Sequence, residues 1–315
     1  MAEATNIEWC DSTFNPWIGC TKISPGCDNC YAERSTPART KGIVWGINGG
    51  PLLTGDDNWR KPVQWNKAHE KFFASQGRRR RVFCASLADV FDNRAPDVFR
   101  TRLWNLIADT PNLDWLLLTK RIGNALDMLP AFWCMGYEGM HVWNKAFKHV
   151  SIGISVVNQA EADRDIPKLL QVPATRRFLS IEPMLGSVDL ARWLARCDHG
   201  SVPGPGGVGG VTCAECDGAG HGCMSLHWVI CGGESGPRAR PMHPDWARSL
   251  RDQCATAGVP VFFKQWGEWA HVGASGAASC GEPHLYGDGC VSWKVGKKAA
   301  GAMLDGREHK AWPAQ

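Results

Sequence analysis

No stretch of the chain approaches the roughly 18 to 20 consecutive apolar residues of a membrane-spanning helix, and Met1 to Trp9 lacks the pattern of a secretory signal. The expectation is a soluble protein of the host-cell cytoplasm with no membrane partner. A marked excess of charge of either sign is also missing. The chain has 35 Lys and Arg against 31 Asp and Glu, and a net +4 permits nucleic-acid binding without indicating it. Ordinary hydrolase signatures do not occur: there is no Gly-x-Ser-x-Gly elbow, no P-loop and no His-Glu-x-x-His. Tyrosine is scarce, at 3 residues against 16 Trp. Trp59, Trp65 and Trp266 are able to stack on bases, although a place in the core is the expectation for most tryptophans. With 315 residues, 44% of them hydrophobic, the chain can bury a sizeable core, which excludes global disorder.

Cysteine is abundant, at 14 residues. A reducing cytosol does not maintain many disulfides, so clustered thiols in an intracellular chain read as metal ligands. Cys20, Cys27 and Cys30 form one cluster; Cys213, Cys216 and Cys223 form another.

Six short β-rich runs recur: Arg81 to Ser86, Asp114 to Thr119, Val150 to Val156, Arg177 to Ile181, His227 to Cys231 and Pro260 to Phe263. Helix-compatible stretches such as Val98 to Ala108 and Pro244 to Gly258 lie between them, and a further first strand is expected around Phe14 to Gly19. The alternation predicts an α/β fold with a parallel sheet, a complete or partial (β/α) TIM-like barrel, with a doubly wound sheet as the alternative. Residues 1–315 read as a single domain of this kind, interrupted at 197–225 by a Cys/Gly-rich metal-binding insertion.

The first cluster has the spacing C-x6-C-x2-C, with Pro25-Gly26 supplying a turn before its second member. Thiolates suit zinc and iron–sulfur clusters, and a closed site needs four ligands. No fourth Cys or His lies close by in a ligand-like spacing; Cys10 is the nearest. Three ligands leave one metal position open for chemistry on a bound molecule. Zinc with a fourth ligand from elsewhere is the other reading of the same residues.

These residues carry a resemblance. Asn6-Ile-Glu-Trp9, Asn15-Pro16, Gly19-Cys20-Thr-Lys, Ser24-Pro-Gly-Cys27 and Asn29-Cys30-Tyr-Ala-Glu33 resemble a phage-associated three-cysteine-motif family, a domain-of-unknown-function family of phages and prophages. The similarity continues through Leu118 to Arg121, Phe178 to Pro183, Val229 to Gly236, Arg240 to Pro244, Phe262 to Gly267 and Leu304 to Arg307, nearly the whole chain. Its members are similar to radical S-adenosylmethionine enzymes. The resemblance implies a 4Fe–4S cluster on Cys20, Cys27 and Cys30, S-adenosylmethionine as cofactor, and hydrogen abstraction by a deoxyadenosyl radical. Two features depart from that pattern: the first cysteine spacing is six residues instead of three, and Gly232-Gly233-Glu234 follows the sixth strand run instead of the second.

In a barrel, residues at the carboxyl ends of strands face the active site. The runs deliver Ser86 and Asp89, then Thr119, Lys120 and Arg121, then Asn158, Glu182, Gly232-Gly233-Glu234 and Lys264-Gln265-Trp266. Lys120, Glu182 and Lys264 are the candidate catalytic residues, and Gly232, Gly233 and Glu234 the candidate cofactor-binding ones. Charges directly after buried strands are costly unless paired or used, so mutual pairing and helix capping are the competing roles.

The second cluster, Cys213-Ala-Glu-Cys216 through Gly220 to Cys223, resembles half of the zinc module of DnaJ-type chaperones. Cys223 with Cys197 or His199 would complete a structural zinc site, giving a Gly-rich insertion the folding energy it lacks. An auxiliary iron–sulfur cluster and free thiols are the alternatives. The run Arg78 to Arg81 reads as a solvated helix end, with phosphate contact as the second reading. His243 reads as a helix-start residue, with a base as the alternative. Two functions follow: an iron–sulfur enzyme of radical S-adenosylmethionine type, taking a nucleic acid or nucleotide and an electron donor, or a non-enzymatic zinc-stabilised phage protein that binds nucleic acid or a partner.

Overall fold

A computed structural model describes residues 5–46, 48–130, 147–194, 201–203, 210–212, 226–271 and 281–314. Seven parallel strands follow one another in chain order across the main sheet: β1 (Ser12–Phe14), β2 (Arg80–Cys84), β3 (Leu113–Thr119), β4 (Val150–Ser155), β5 (Arg176–Ile181), β6 (Trp228–Cys231) and β7 (Val261–Phe263). The α/β class and the parallel sheet are therefore as expected. Among the described residues β1 and β7 do not pair with each other, which leaves the partial form of the barrel and not the closed one. Among the described residues five helices of eight or more residues lie between the strands: α1 (Asp56–Lys67), α2 (His69–Gln76), α3 (Asp97–Ala108), α4 (Gln159–Gln171) and α5 (Pro244–Ala257). Parallel neighbours require such crossovers.

The chain divides into two compact units: Met1–Ser155 with Val172–Arg176, and Val156–Gln171 with Arg177–Ala314. In the first, Phe14 pairs with Cys84, Cys84 with Leu117, and Thr119 with Ile154. Val82, Cys84, Leu117 and Ile152 are fully buried, as continuous apolar runs in a two-sided sheet should be. The first strand lies earlier than expected. Pro16 offers no N–H to a ladder, so pairing with β2 stops at Phe14, and Trp17–Ile18 pairs antiparallel with Leu52–Leu53 instead. Arg80 and Arg81 belong to β2, so the arginine run is not a helix end. Arg78 binds the Asp11 carboxylate with two nitrogens, at 2.6 and 2.8 Å, while Arg80 lies over Phe72.

In the second unit Ile230 stands between Ser180 and Phe262. α5 shows how its sequence sets its ends. His243 caps the start by accepting the Asp245 N–H, Pro244 needs no partner in the first turn, and Gly258 turns left-handed (φ +68°) to stop it. Ala247, Leu250 and Cys254 face the core from one side of this helix. A three-stranded antiparallel sheet follows, with Val291–Lys294 between Trp269–His271 and Glu282–Leu285. The segment after it returns to β7: Phe263 N–H meets His309 C=O at 2.7 Å and Ala311 N–H meets Val261 C=O at 3.0 Å. Trp312 stacks on Trp228 at 5.1 Å. Trp59, Trp65 and Trp266 are buried. No helix among the described residues is long and apolar enough to cross a membrane.

Candidate metal centre

The cysteine loop begins where β1 ends, and neighbouring elements fix that point from two sides. The side chain of Asn15 accepts the Leu87 N–H at 2.6 Å and donates to Ser86 Oγ at 2.9 Å. The Asn15 carbonyl accepts from Thr54 Oγ1 and Asn58 Nδ2, each at 2.9 Å. Gly19 then takes φ +117°, a conformation that side chains avoid, and opens the loop. Ser24 Oγ caps the turn at Pro25–Cys27, where the Cys27 N–H reaches Ser24 C=O at 2.8 Å. The Cys30 N–H follows onto Cys27 C=O at 3.3 Å. Ile18, Ala32, Ala38 and Leu87 form a small core, against which Cys30, Ile43 and Trp45 pack. Lys22 and Glu33 pair at 2.7 Å, and the Tyr31 hydroxyl donates to Ser86 C=O at 2.7 Å.

Cys20, Cys27 and Cys30 are all free thiols; Cys27 is buried and the others half-buried. Cys10 is not part of the set, because it precedes β1 and directs its thiol to Ile7 C=O. Three thiols on one self-bonded loop are a donor set suited to a soft metal, zinc or an iron–sulfur cluster.

The carboxyl ends of β2 and β3 supply a buried charge group beside Cys20. Arg121 Nη1 donates to Cys20 Sγ at 3.3 Å and to Asp89 Oδ2 at 3.2 Å. Its Nη2 donates to Thr21 C=O at 2.7 Å and Thr21 Oγ1 at 2.8 Å, with Asp92 at 3.7 Å. Asp89 is fixed in turn by Thr119 Oγ1 at 2.7 Å and the Lys120 N–H at 3.0 Å. Burial, and next the Asp89 charge, push the Cys20 thiol up to about 12. Burial opposes the charge of Arg121, yet Asp89, Cys20 and Asp92 together hold its guanidinium above the usual range. The sequence marked Asp89 and Arg121 as strand-end residues without joining them, and Asp92 was missed. Nothing in a linear pattern brings positions 89, 92 and 121 to position 20. Lys120 points to Ser155 Oγ, in a close hydrogen bond.

The other expected residues belong to the second unit. Lys264 Nζ meets Glu182 Oε1 at 2.5 Å, a half-buried ion pair at the ends of β5 and β7. Glu234 is occupied by Arg240, which reaches it with its backbone N–H, Nε and Nη2 at 2.7 to 2.9 Å. The glycines allow close approach within the chain. A Cβ on Gly233 would meet Trp266 C=O at 1.9 Å, one on Gly267 would meet Glu234 C=O at 2.1 Å, and one on Gly232 would touch Gln265 C=O at 3.2 Å. Asn158 starts α4 by accepting the Glu161 N–H at 3.0 Å. Cys197, His199, Cys213, Cys216 and Cys223 lie outside the described residues.

His243, Asp245 and Asp288 bring three ligand atoms within 4.8 Å of one another. The imidazole argues against a metal there. Its Nδ1 accepts the Asp245 N–H at 3.1 Å, so the proton of the neutral ring sits on Nε2, 3.0 Å from Asp288. A metal would need that nitrogen bare and the other protonated.

Residues 4–313 match the model of a family described as protein of unknown function (DUF5131). No curated protein matches the chain. Among solved structures the chain is similar to a spore photoproduct lyase double mutant with bound AdoMet and dinucleoside spore photoproduct. That similarity has 10% sequence identity and a TM-score of 0.36, over 90% of this chain and 67% of that one. So loose an overlap assigns neither fold nor activity.

Proposed function

This chain belongs to the DUF5131 family of proteins of unknown function, and from that premise we propose that it is a phage-encoded iron–sulfur enzyme of radical S-adenosylmethionine type. In this reading it works in the host cytoplasm on a nucleic acid or nucleotide, in modification or repair. One observation carries the proposal: three free thiols on one loop, set at the carboxyl ends of parallel strands, where α/β folds bind their ligands. The resemblance of the loop to three-cysteine-motif proteins of phages supports the phage origin and the choice of cofactor.

Cys20, Cys27 and Cys30 would hold a 4Fe–4S cluster, which when bound supplies one-electron chemistry to S-adenosylmethionine, with an electron donor to reduce it. Lys120, held by an uncharged hydroxyl, offers a cation for the carboxylate of an amino-acid-like cofactor. Glu182 and Lys264 would meet charged groups of cofactor or substrate by opening their mutual pair. Gly232, Gly233 and Glu234 would contribute to cofactor binding only if Glu234 exchanged Arg240 for a ligand's ammonium. Zinc on Cys197, Cys213, Cys216 and Cys223 would hold the insertion at 197–225.

Anaerobic purification with metal and sulfide analysis tests this. The expected result is about four iron and four sulfide per chain, abolished by Cys27→Ser, and 5′-deoxyadenosine on addition of dithionite and S-adenosylmethionine. In the same samples zinc should disappear when Cys213→Ser and Cys216→Ser are combined. A full cluster that yields no deoxyadenosine overturns the enzyme in favour of a binding protein. A colourless protein with zinc on the loop overturns the cluster as well.

A further inference from the structure

We infer that Arg121 is a positioning residue for the first cysteine of the loop and, through that sulfur, sets the electron affinity of the centre the loop holds. The inference rests on the iron–sulfur reading above and extends it to a residue outside the three ligands. Hydrogen bonds to a ligating sulfur, and buried charge beside it, are among the levers by which a protein tunes a cluster's potential. The three thiols differ in this respect. Cys20 receives a charged donor at 3.3 Å, and among the described residues neither Cys27 nor Cys30 has one.

The donor is also immobile. A guanidinium is a rigid planar fork, and both of its terminal nitrogens are occupied here. Thr21 C=O and Oγ1 take Nη2, Asp89 takes Nη1, and Asp89 is itself tied to Thr119 and to the Lys120 backbone. Arg121, Asp89 and Asp92 are all at least nine-tenths buried, at 8%, 4% and 2% exposure, so water screens their fields weakly. One cation faces two carboxylates, and the group as a whole is negative. That imbalance gives the inference a sign. Removing the Asp92 charge leaves a neutral Arg121–Asp89 pair and eases electron entry. Removing the Arg121 charge takes the cation from between the two carboxylates and the donor from the sulfur, which opposes electron entry. A role confined to holding the fold predicts lower stability in both variants and no opposition of sign.

The experiment is an EPR-monitored redox titration of the anaerobically prepared holoprotein, comparing wild type with Asp92→Asn, Arg121→Gln and Arg121→Lys. Asn keeps the oxygen that accepts the Arg94 N–H at 3.0 Å, so Asp92→Asn should load iron as wild type does and show a raised midpoint potential. Arg121→Gln should show a lowered one. Arg121→Lys, which keeps the charge and loses the fork, should fall between Arg121→Gln and wild type. If Arg121→Gln does not fold, Asp92→Asn decides alone. Loaded variants that titrate at the wild-type potential overturn the inference and leave the iron–sulfur reading standing. Wild-type protein that takes up no iron overturns both.

Discussion

Gly233 has no room for a side chain, because the Trp266 carbonyl oxygen lies 1.9 Å from where its Cβ would be. Gly233→Ala should therefore cost more than about 2 kcal/mol through forced backbone movement, seen as a melting point several degrees lower. Gly232→Ala, with its nearest neighbour at 3.2 Å, should cost clearly less. Equal melting points would mean that the turns after β6 and β7 yield freely. At this scale the sequence was readable where chemistry is local. Three thiols in one loop, a cap at His243 and glycines at a strand end all announce themselves. It was unreadable where a partner is remote. Arg121 and Cys20 are 101 positions apart, and only the sheet register brings the end of β3 to the loop after β1. A different limit hid the pairing of Glu234 with Arg240, only six positions away: a charge after a buried strand looks alike whether paired or in use.

Among the described residues strand β7 has β6 on one side, and on its other side Phe263 N–H and Val261 C=O are met by the segment at His309 to Ala311. An uncovered edge of this kind invites pairing with other chains. A chain stopped after Glu308 should lose the Phe263 and Val261 partners, about 1 kcal/mol for each bond, together with the Trp312 stack on Trp228. The expected outcome is a lower melting point and light scattering on heating. A truncated chain that melts like the full one and stays clear would show that the edge needs no cover. The six later strands were legible to within one or two residues, because two-sided burial demands apolar runs such as Trp-Leu-Leu-Leu. The edge cover was not, since Lys310-Ala-Trp312 carries no strand-like alternation. β1 was misplaced because Trp17-Ile18 is more apolar than Ser12-Thr13 and the limit set by Pro16 went unused.

For the molecule as a whole, falling pH should cost stability. Burial works against the charge on Asp11, but hydrogen bonds and charge from Arg78, with the Arg81 N–H, hold its carboxyl below the usual range. Burial likewise opposes Asp305, and Arg251 and Arg248 outweigh it. An unfolded chain binds protons at the ordinary value, near 4, before the folded one does. The stabilisation is complete above that value and disappears as pH falls through the lower folded values. Urea unfolding between pH 7 and pH 3 should thus show falling stability, and Asp11→Asn should flatten part of the slope. An unchanged slope in that variant would remove Asp11 from the account. The class of fold could be read from alternation alone, because parallel strands need helical crossovers. The division into two compact units could not, because every strand and crossover follows one rhythm on both sides of it. Between the turns that follow β6 and β7, main chain rests directly on main chain, at Gly233 against Trp266 and at Gly267 against Glu234. Nothing soft is available there to yield, so contacting main chain sets the spacing of the two turns. Two turns braced on each other in this way keep their outline fixed.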